Sequence, residues 1–192
     1  MTLSRLCLLF LLTSCSVMQN SEFVTRAEHL MKDHMHVYSL PFEKGKGYYV
    51  VQGYESLFSH KGDYAIDFKM KEGSKVMAAR DGVVTFAREH FTKGGIGKEY
   101  IGTGNGITIR HSDGTYAHYW HLQHNGALVK TGDTVKRGQW IGVSGSTGFS
   151  AFPHLHFEVT RQPRISREDF PVIFLTEKGP KFLQPLRRYK AL

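Results

Sequence analysis

Cysteine is nearly absent: Cys7 and Cys15 are the only two, both within the first fifteen residues. A disulfide scaffold and a Cys-rich zinc module are therefore excluded. Runs of positive charge are missing as well. Lys and Arg number 25 against 17 Asp and Glu, a formal net charge of +8, yet no Lys/Arg run exceeds two residues, as at Arg187-Arg188. A nucleic-acid-binding tail, and with it a nucleic-acid partner, is not expected. The basic surface as a whole still favours polyanions, such as anionic lipid or the acidic polymers of a cell wall. Nor is the chain poor in apolar residues: hydrophobic residues are 41% and charged residues 22%, the balance of a globular protein. Its 192 residues allow one domain of ordinary size plus small appendages, with a core that needs no disulfides. Two residue types are abundant. The 20 glycines point to many turns and a β-rich fold. The 11 histidines are the first hint of chemistry.

At the start, Arg5 precedes the apolar run Leu6-Cys7-Leu8-Leu9-Phe10-Leu11-Leu12, followed by Thr13-Ser14-Cys15. This run is too short to span a bilayer and reads as a secretory signal peptide over residues 1–14. Leu12-Thr13-Ser14-Cys15 resembles a bacterial lipobox. The resemblance implies cleavage before Cys15, lipidation of Cys15, and a stable membrane anchor. It places the mature chain in a bacterial envelope on the periplasmic side. Ser16 implies the outer membrane if the host is Gram-negative. The other reading is an ordinary signal with Cys15 incidental. Residues 15–36 then form the link to the domain. Within them, 22–33 are either a short helix with Phe23, Ala27, Leu30 and Met31 on one side or a flexible tether.

From Val37 the pattern turns to β. Strands are predicted at 48–51, 64–70, 75–79, 83–88, 107–110, 115–122 and 155–159, separated by turns such as Ser112-Asp113-Gly114 and Ser144-Gly145-Ser146-Thr147-Gly148. Residues 90–103, with four glycines, read as a long loop. The expected fold class is all-β, an antiparallel sheet or sandwich over residues 37–162. Residues 163–192, interrupted by Pro171, Pro180 and Pro185, are expected to wrap the surface.

The histidines are not scattered. In His154-Leu155-His156-Phe157-Glu158-Val159, strand alternation sends Leu155, Phe157 and Val159 inward and groups His154, His156 and Glu158 on the other face. Two imidazoles ~7 Å apart on one face can bind one ion or divide two roles around it; the bland alternative is a solvated polar face. In Tyr116-Ala117-His118-Tyr119-Trp120-His121-Leu122, His118 and His121 have opposite parity, so a regular strand shows only one of them to a site. Asp67 lies in the apolar run Tyr64-Ala65-Ile66-Asp67-Phe68. A buried carboxylate needs a cation or donors, so Asp67 is either a metal ligand beside His60 or a hydrogen-bonded structural group. Asp63, next to Gly62, is the competing carboxylate.

In their order, these segments resemble the lysostaphin-like, or LytM-type, zinc metallopeptidases over about residues 48–159. The matching pieces are Ser59-His60 with Tyr64-Ala65-Ile66-Asp67-Phe68, Ala78-Ala79-Arg80-Asp81-Gly82-Val83-Val84, Tyr119-Trp120-His121-Leu122, Val135-Lys136-Arg137-Gly138-Gln139-Trp140-Ile141-Gly142, Ser144-Gly145-Ser146-Thr147-Gly148 and Pro153-His154-Leu155-His156-Phe157-Glu158-Val159. The resemblance implies a duplicated-hybrid-motif fold, a Zn2+ cofactor and peptidoglycan as substrate. It implies His60, Asp67 and His156 as ligands. His121 and His154 serve the reacting water and the oxyanion, in an order the sequence leaves open. Two imidazoles and one carboxylate leave a fourth position open, as catalytic zinc sites do. The alternative is an inactive relative that binds the wall and activates another hydrolase. One departure stands out: the family's common spacing is His-x-x-x-Asp, whereas six residues separate His60 from Asp67. A turn at Lys61-Gly62-Asp63 is expected to absorb the excess. His118 is expected to be a structural or rim histidine, and His29, His34, His36, His90, His111 and His124 to lie on the surface. Loops 91–103 and 149–152 are expected to select the substrate.

Overall fold

A computed structural model describes residues 36–56, 60–163 and 169–192. The expected signal peptide, Cys15, the segment 22–33, His29 and His34 lie outside the described residues.

The strands are β1 (Val37–Ser39), β2 (Gly47–Gln52), β3 (Ala65–Phe68), β4 (Lys75–Met77), β5 (Gly82–Arg88), β6 (Gly94–Gly95), β7 (Asn105–Arg110), β8 (Tyr116–Ala127), β9 (Thr134–Val135), β10 (Trp140–Ser144), β11 (Gly148–Phe149), β12 (Leu155–Thr160), β13 (Ile173–Thr176), β14 (Gly179–Lys181) and β15 (Arg188–Lys190). Among the described residues there is no α-helix, only a 3-10 turn at Lys98–Tyr100. The all-β expectation holds. The large sheet runs β15-β2-β3-β12-β8-β7-β5-β9, with β10 joined to β8 and β4, and its pairings are antiparallel. Two small sheets, β1-β13-β14 and β11-β6, each contain a parallel pair.

The centre of the large sheet, β3-β12-β8, follows from the alternation in its sequence. Leu155, Phe157 and Val159 stand beside Phe68, Ile66, Tyr119 and Ala117 in register, and all are buried. The small sheet covers this apolar face. Phe174 of β13 packs on Phe157 at 5.5 Å between ring centroids and on Phe68 at 6.1 Å, and Tyr38 of β1 packs on Phe157 at 6.0 Å. Such edge-on aromatic contacts add to area burial. The opposite face carries Asp67, His156, Glu158, His118 and Trp120, held side by side by the register His156↔Asp67, His156↔Trp120 and Glu158↔His118.

The C-terminal segment is not the surface wrap expected from its prolines. Val172, Phe174, Phe182 and Leu183 are buried, and β15 extends the large sheet by pairing with β2. The prolines punctuate short strands here: Pro171 precedes β13 and Pro180 lies within β14, which pairs only with β13 and so is an edge strand. His111 is a second correction. It is buried, with its Nδ1 2.7 Å from the Asp81 carbonyl and its ring against Tyr38, rather than on the surface.

Candidate metal centre

His60, Asp67 and His156 come together. One ligand-type atom from each lies within 4.8 Å of the others. His60 reaches the site through the expected turn: the Asp63 amide donates to the His60 carbonyl at 3.0 Å, and Gly62 takes φ 84°, a value that favours glycine. That turn absorbs the six-residue separation and delivers Asp67 in β3 rather than Asp63 to the group; Asp63 lines the groove instead. His156 Nδ1 lies 3.0 Å from Asp67 Oδ1, and His60 Nε2 lies 3.3 Å from Asp67 Oδ2. The His60 Nδ1–H donates to the Gly53 carbonyl at 3.2 Å, which turns the Nε2 lone pair toward Asp67. This Nε2 is buried without a hydrogen-bond partner, a position that suits a ligand atom. Gln52 Nε2 donates to Asp67 Oδ2 at 2.8 Å, and Ser56 Oγ in turn donates to Gln52 Oε1 at 3.0 Å.

The charges match a cation site. Burial opposes the charge on Asp67, but the imidazoles of His156 and His60 hold its carboxyl well below the usual range. Burial likewise opposes a proton on His156, yet Asp67 and Glu158 push its pKa up to about 10. Glu158 is buried on the same face; its Oε1 has no hydrogen-bond partner and lies 3.8 Å from His156 Nε2. The His156 ring is thus bracketed by two carboxylates, one at each nitrogen.

His121 and His154 stand beside this group. Their ring centroids are 4.5 Å apart, and His121 is 5.8 Å from His156. His154 Nε2 is 3.7 Å from Asp67 Oδ1. Each donates its Nδ1–H to a backbone carbonyl at 2.8 Å, His121 to Thr147 and His154 to Phe152. Each therefore keeps a free Nε2 as acceptor. Burial pushes the His121 pKa down to about 3, helped by the neighbouring His154 and His156, and burial lowers His154 too.

The reason His121 faces the site was not visible in strand parity. Regular alternation would group His121 with Tyr119 on the core face. Gly106 pairs with Trp120 but Asn105 pairs with Leu122, so His121 is the extra residue of a bulge. Its φ is 64°, a rare backbone conformation for a non-glycine residue. The bulge re-aims the side chain toward the groove. His118, by contrast, lies on the site face by plain alternation. It is buried, with Nδ1 and Nε2 each 2.9 Å from a threonine hydroxyl, those of Thr108 and Thr160. Both of its ring nitrogens are thus occupied, which leaves neither to face the groove.

All five side chains line a groove of about 1130 Å³ whose walls include Ile96, Ile101, Trp120, Phe149 and Phe152. Arg88 also lines it, donating to the Gly104 carbonyl with its guanidinium carbon 5.5 Å from the Trp120 ring centroid. The sequence reading overlooked Gln52, Arg88 and the Thr147 carbonyl. Only the glycines around them hinted at close backbone approach.

The sequence model of Peptidase family M23 matches residues 60–167. The glycyl-glycine endopeptidase ALE-1 of Staphylococcus capitis is 36% identical over 140 residues, covering 72% of this chain and 35% of that protein. The peptidoglycan DD-endopeptidase ShyA of Vibrio cholerae is 41% identical over 93 residues, 48% of this chain and 19% of that protein. The chain thus spans about a third or less of the length of these relatives. Among solved structures, a zinc-containing peptidase from Vibrio cholerae aligns at TM-score 0.52 and 28% identity, over 72% of this chain and 41% of that one. By its sequence match across more than half its length, together with its fold, this chain belongs to peptidase family M23.

Proposed function

We propose that this protein is a zinc-dependent endopeptidase that hydrolyses peptide bonds of bacterial peptidoglycan. The observation that carries the reading is the placement of two further imidazoles, His121 and His154, each with a free Nε2, beside a three-donor metal group on the floor of one groove. His60 through Nε2, Asp67, and His156 through Nδ1 would hold the ion; two imidazoles and a carboxylate are a donor set that suits zinc. When bound, zinc supplies a Lewis acid that acidifies water and polarises a carbonyl.

The chain's own groups then handle the protons. Lowered by burial, His121 and His154 are neutral at pH 7, so each can accept a proton at Nε2 and hand it on. In one order His154 takes the proton of the attacking water and His121 steadies the oxyanion or protonates the leaving amine; the other order exchanges the two. The carbonyls of Thr147 and Phe152 stabilise the imidazolium that forms, because they accept its Nδ1–H.

ALE-1 and ShyA, named for cleaving glycyl-glycine and peptidoglycan bonds, support a wall peptide as the substrate class. We propose further that lipid on Cys15 anchors the mature chain to the bacterial envelope, on its periplasmic side. The test of activity is digestion of purified sacculi with mass analysis of the released fragments. Chelation is expected to abolish release and added zinc to restore it. Intact sacculi despite full zinc occupancy would leave an inactive wall-binding relative as the better reading. For the anchor, Cys15→Ala is expected to move the protein from the membrane to the soluble fraction.

A further inference from the structure

The sheet face that holds Asp67 continues beyond the metal group. Lys69 lies two residues after Asp67, on the same face by alternation, and its amide donates to the Tyr49 carbonyl at 2.8 Å, carrying the β2–β3 pairing onward. Past Lys69 lies a second cleft of about 620 Å³, walled by Lys46, Lys69, Lys71 and Arg188, with Glu72 its one acidic lining residue. Elsewhere Lys75, Arg80, Lys136 and Lys190 each meet a carboxylate within ion-pair distance. Among the described residues, none of the four cleft cations forms such an ion pair; the carboxylate that feels Lys46, Glu43, is already paired with Lys75.

The cleft is shaped as well as charged. The Arg188 guanidinium rests against Gly47, where a Cβ would stand 2.9 Å from its carbon; the missing side chain lets the planar fork lie on the β2 backbone. Phe152 and Pro153 separate cleft from groove. Lys69 Nζ sits 4.1 Å from the Phe152 ring centroid and donates to the Pro153 carbonyl at 3.5 Å. Phe152 lines the groove and Pro153 the cleft, and the next residue is His154. The two depressions thus share one thin wall.

We propose that the cleft is an anion subsite of the same enzyme, which takes a carboxylate of the wall peptide while the scissile bond lies at the metal group; this rests on the function proposed above. Like charges lining a concavity focus the potential there. Arg188 offers a bidentate fork and the lysines point charges. Their mutual repulsion is relieved when an oxyanion enters. Carboxylates of the substrate itself are favoured over a separate phosphate polymer because the cleft continues the catalytic face.

The test uses the zinc-loaded full chain and sacculi stripped of phosphate polymers with hydrofluoric acid. Co-sedimentation on ice measures binding, and initial rates separate KM from kcat. The charge reversal K71E/R188E is expected to weaken binding and raise KM about tenfold, with kcat and zinc content unchanged and a flatter salt dependence. The neutral K71Q/R188Q is expected to fall between, which guards against a folding artefact of the reversal. Equal binding and KM for wild type and both variants would overturn the proposal. So would wild-type binding seen only with unstripped sacculi, which would assign the cleft to phosphate. Failure of the wild type to cleave any sacculi would instead remove the proposed function, while salt-sensitive binding would still report on the cleft.

Discussion

Each catalytic candidate has one imidazole nitrogen tied to a backbone carbonyl and the other free. His121→Ala and His154→Ala are therefore expected to keep stoichiometric zinc while turnover on sacculi falls by about 10²–10⁴. Zinc loss in either variant, measured by elemental analysis, would make that residue a ligand instead. Glu158 carries a different expectation. If zinc takes the lone pair of His156 Nδ1, the ring proton must sit on Nε2, and Glu158 Oε1 lies 3.8 Å away. A carboxylate behind a ligating imidazole orients the ring and raises its basicity, so Glu158→Ala should weaken zinc binding by about 10–100-fold. A chelator competition titration reads this directly, and Glu158→Gln should recover part of the affinity. At this scale the sequence was informative. Alternation in His154 to Val159 showed which side chains share a face, and the apolar setting of Asp67 marked it as a carboxylate in need of a cation. Gln52 was not legible, because its contact with Asp67 depends on the β2–β3 register, which shifts near the end of β2.

The elements explain what parity misjudged. Opposite parity of His118 and His121 suggested that only one faces the site, which assumes a regular strand. The bulge at His121 breaks that rule, so both lie on one face and hydrogen bonding separates their roles. Nothing in Tyr119-Trp120-His121-Leu122 announces a bulge. It is imposed from outside the strand, where the Gly145 amide donates to the His121 carbonyl at 2.9 Å and the Thr147 carbonyl takes the imidazole N–H. Gly148 fixes that second contact. Its φ is 77°, and a Cβ there would stand 2.5 Å from the Gly104 Cα. Gly148→Ala meets both backbone strain and a clash that only movement of Gly104 or the 147–148 turn relieves. Turnover is expected to drop at least about tenfold, with the loss concentrated in kcat, while zinc content holds because no ligand lies in that turn. A variant with wild-type kcat would show that the turn does not position His121. The small sheet was also hidden from the sequence. β1 and β13 are three or four residues each and pair across 136 positions, Val37 with Ile173, a contact that local pattern cannot reveal.

At the scale of the whole molecule, the buried polar face makes stability depend on pH, and His118 is the clearest carrier. It is buried between Thr108 and Thr160, and burial lowers its pKa from 6.5 to about 4. The nearby Glu158 carboxylate opposes the shift and His156 adds to it. A depressed folded-state pKa means that, between pH 6.5 and 4, the unfolded chain takes up a proton the folded chain refuses. The stability that neutral His118 contributes is thus complete above pH 6.5 and lost as pH falls toward 4, by up to about 3 kcal/mol. His118→Gln removes the titrating group. At pH 7.5 the variant is expected to be less stable by about 1–2 kcal/mol, the worth of imperfectly replaced hydrogen bonds. Its loss of stability between pH 6.5 and 4 should be the shallower of the two, so the curves converge or cross on the acid side. Urea unfolding at a series of pH values reads the difference. Both proteins should be metal-free, so that proton competition for the zinc ligands does not enter, and the ionisations of Asp67 and His156, present in both, cancel. Parallel acid limbs would show that the threonine pocket admits the imidazolium and that acid lability arises elsewhere, with His111, also lowered by burial, the next group to replace.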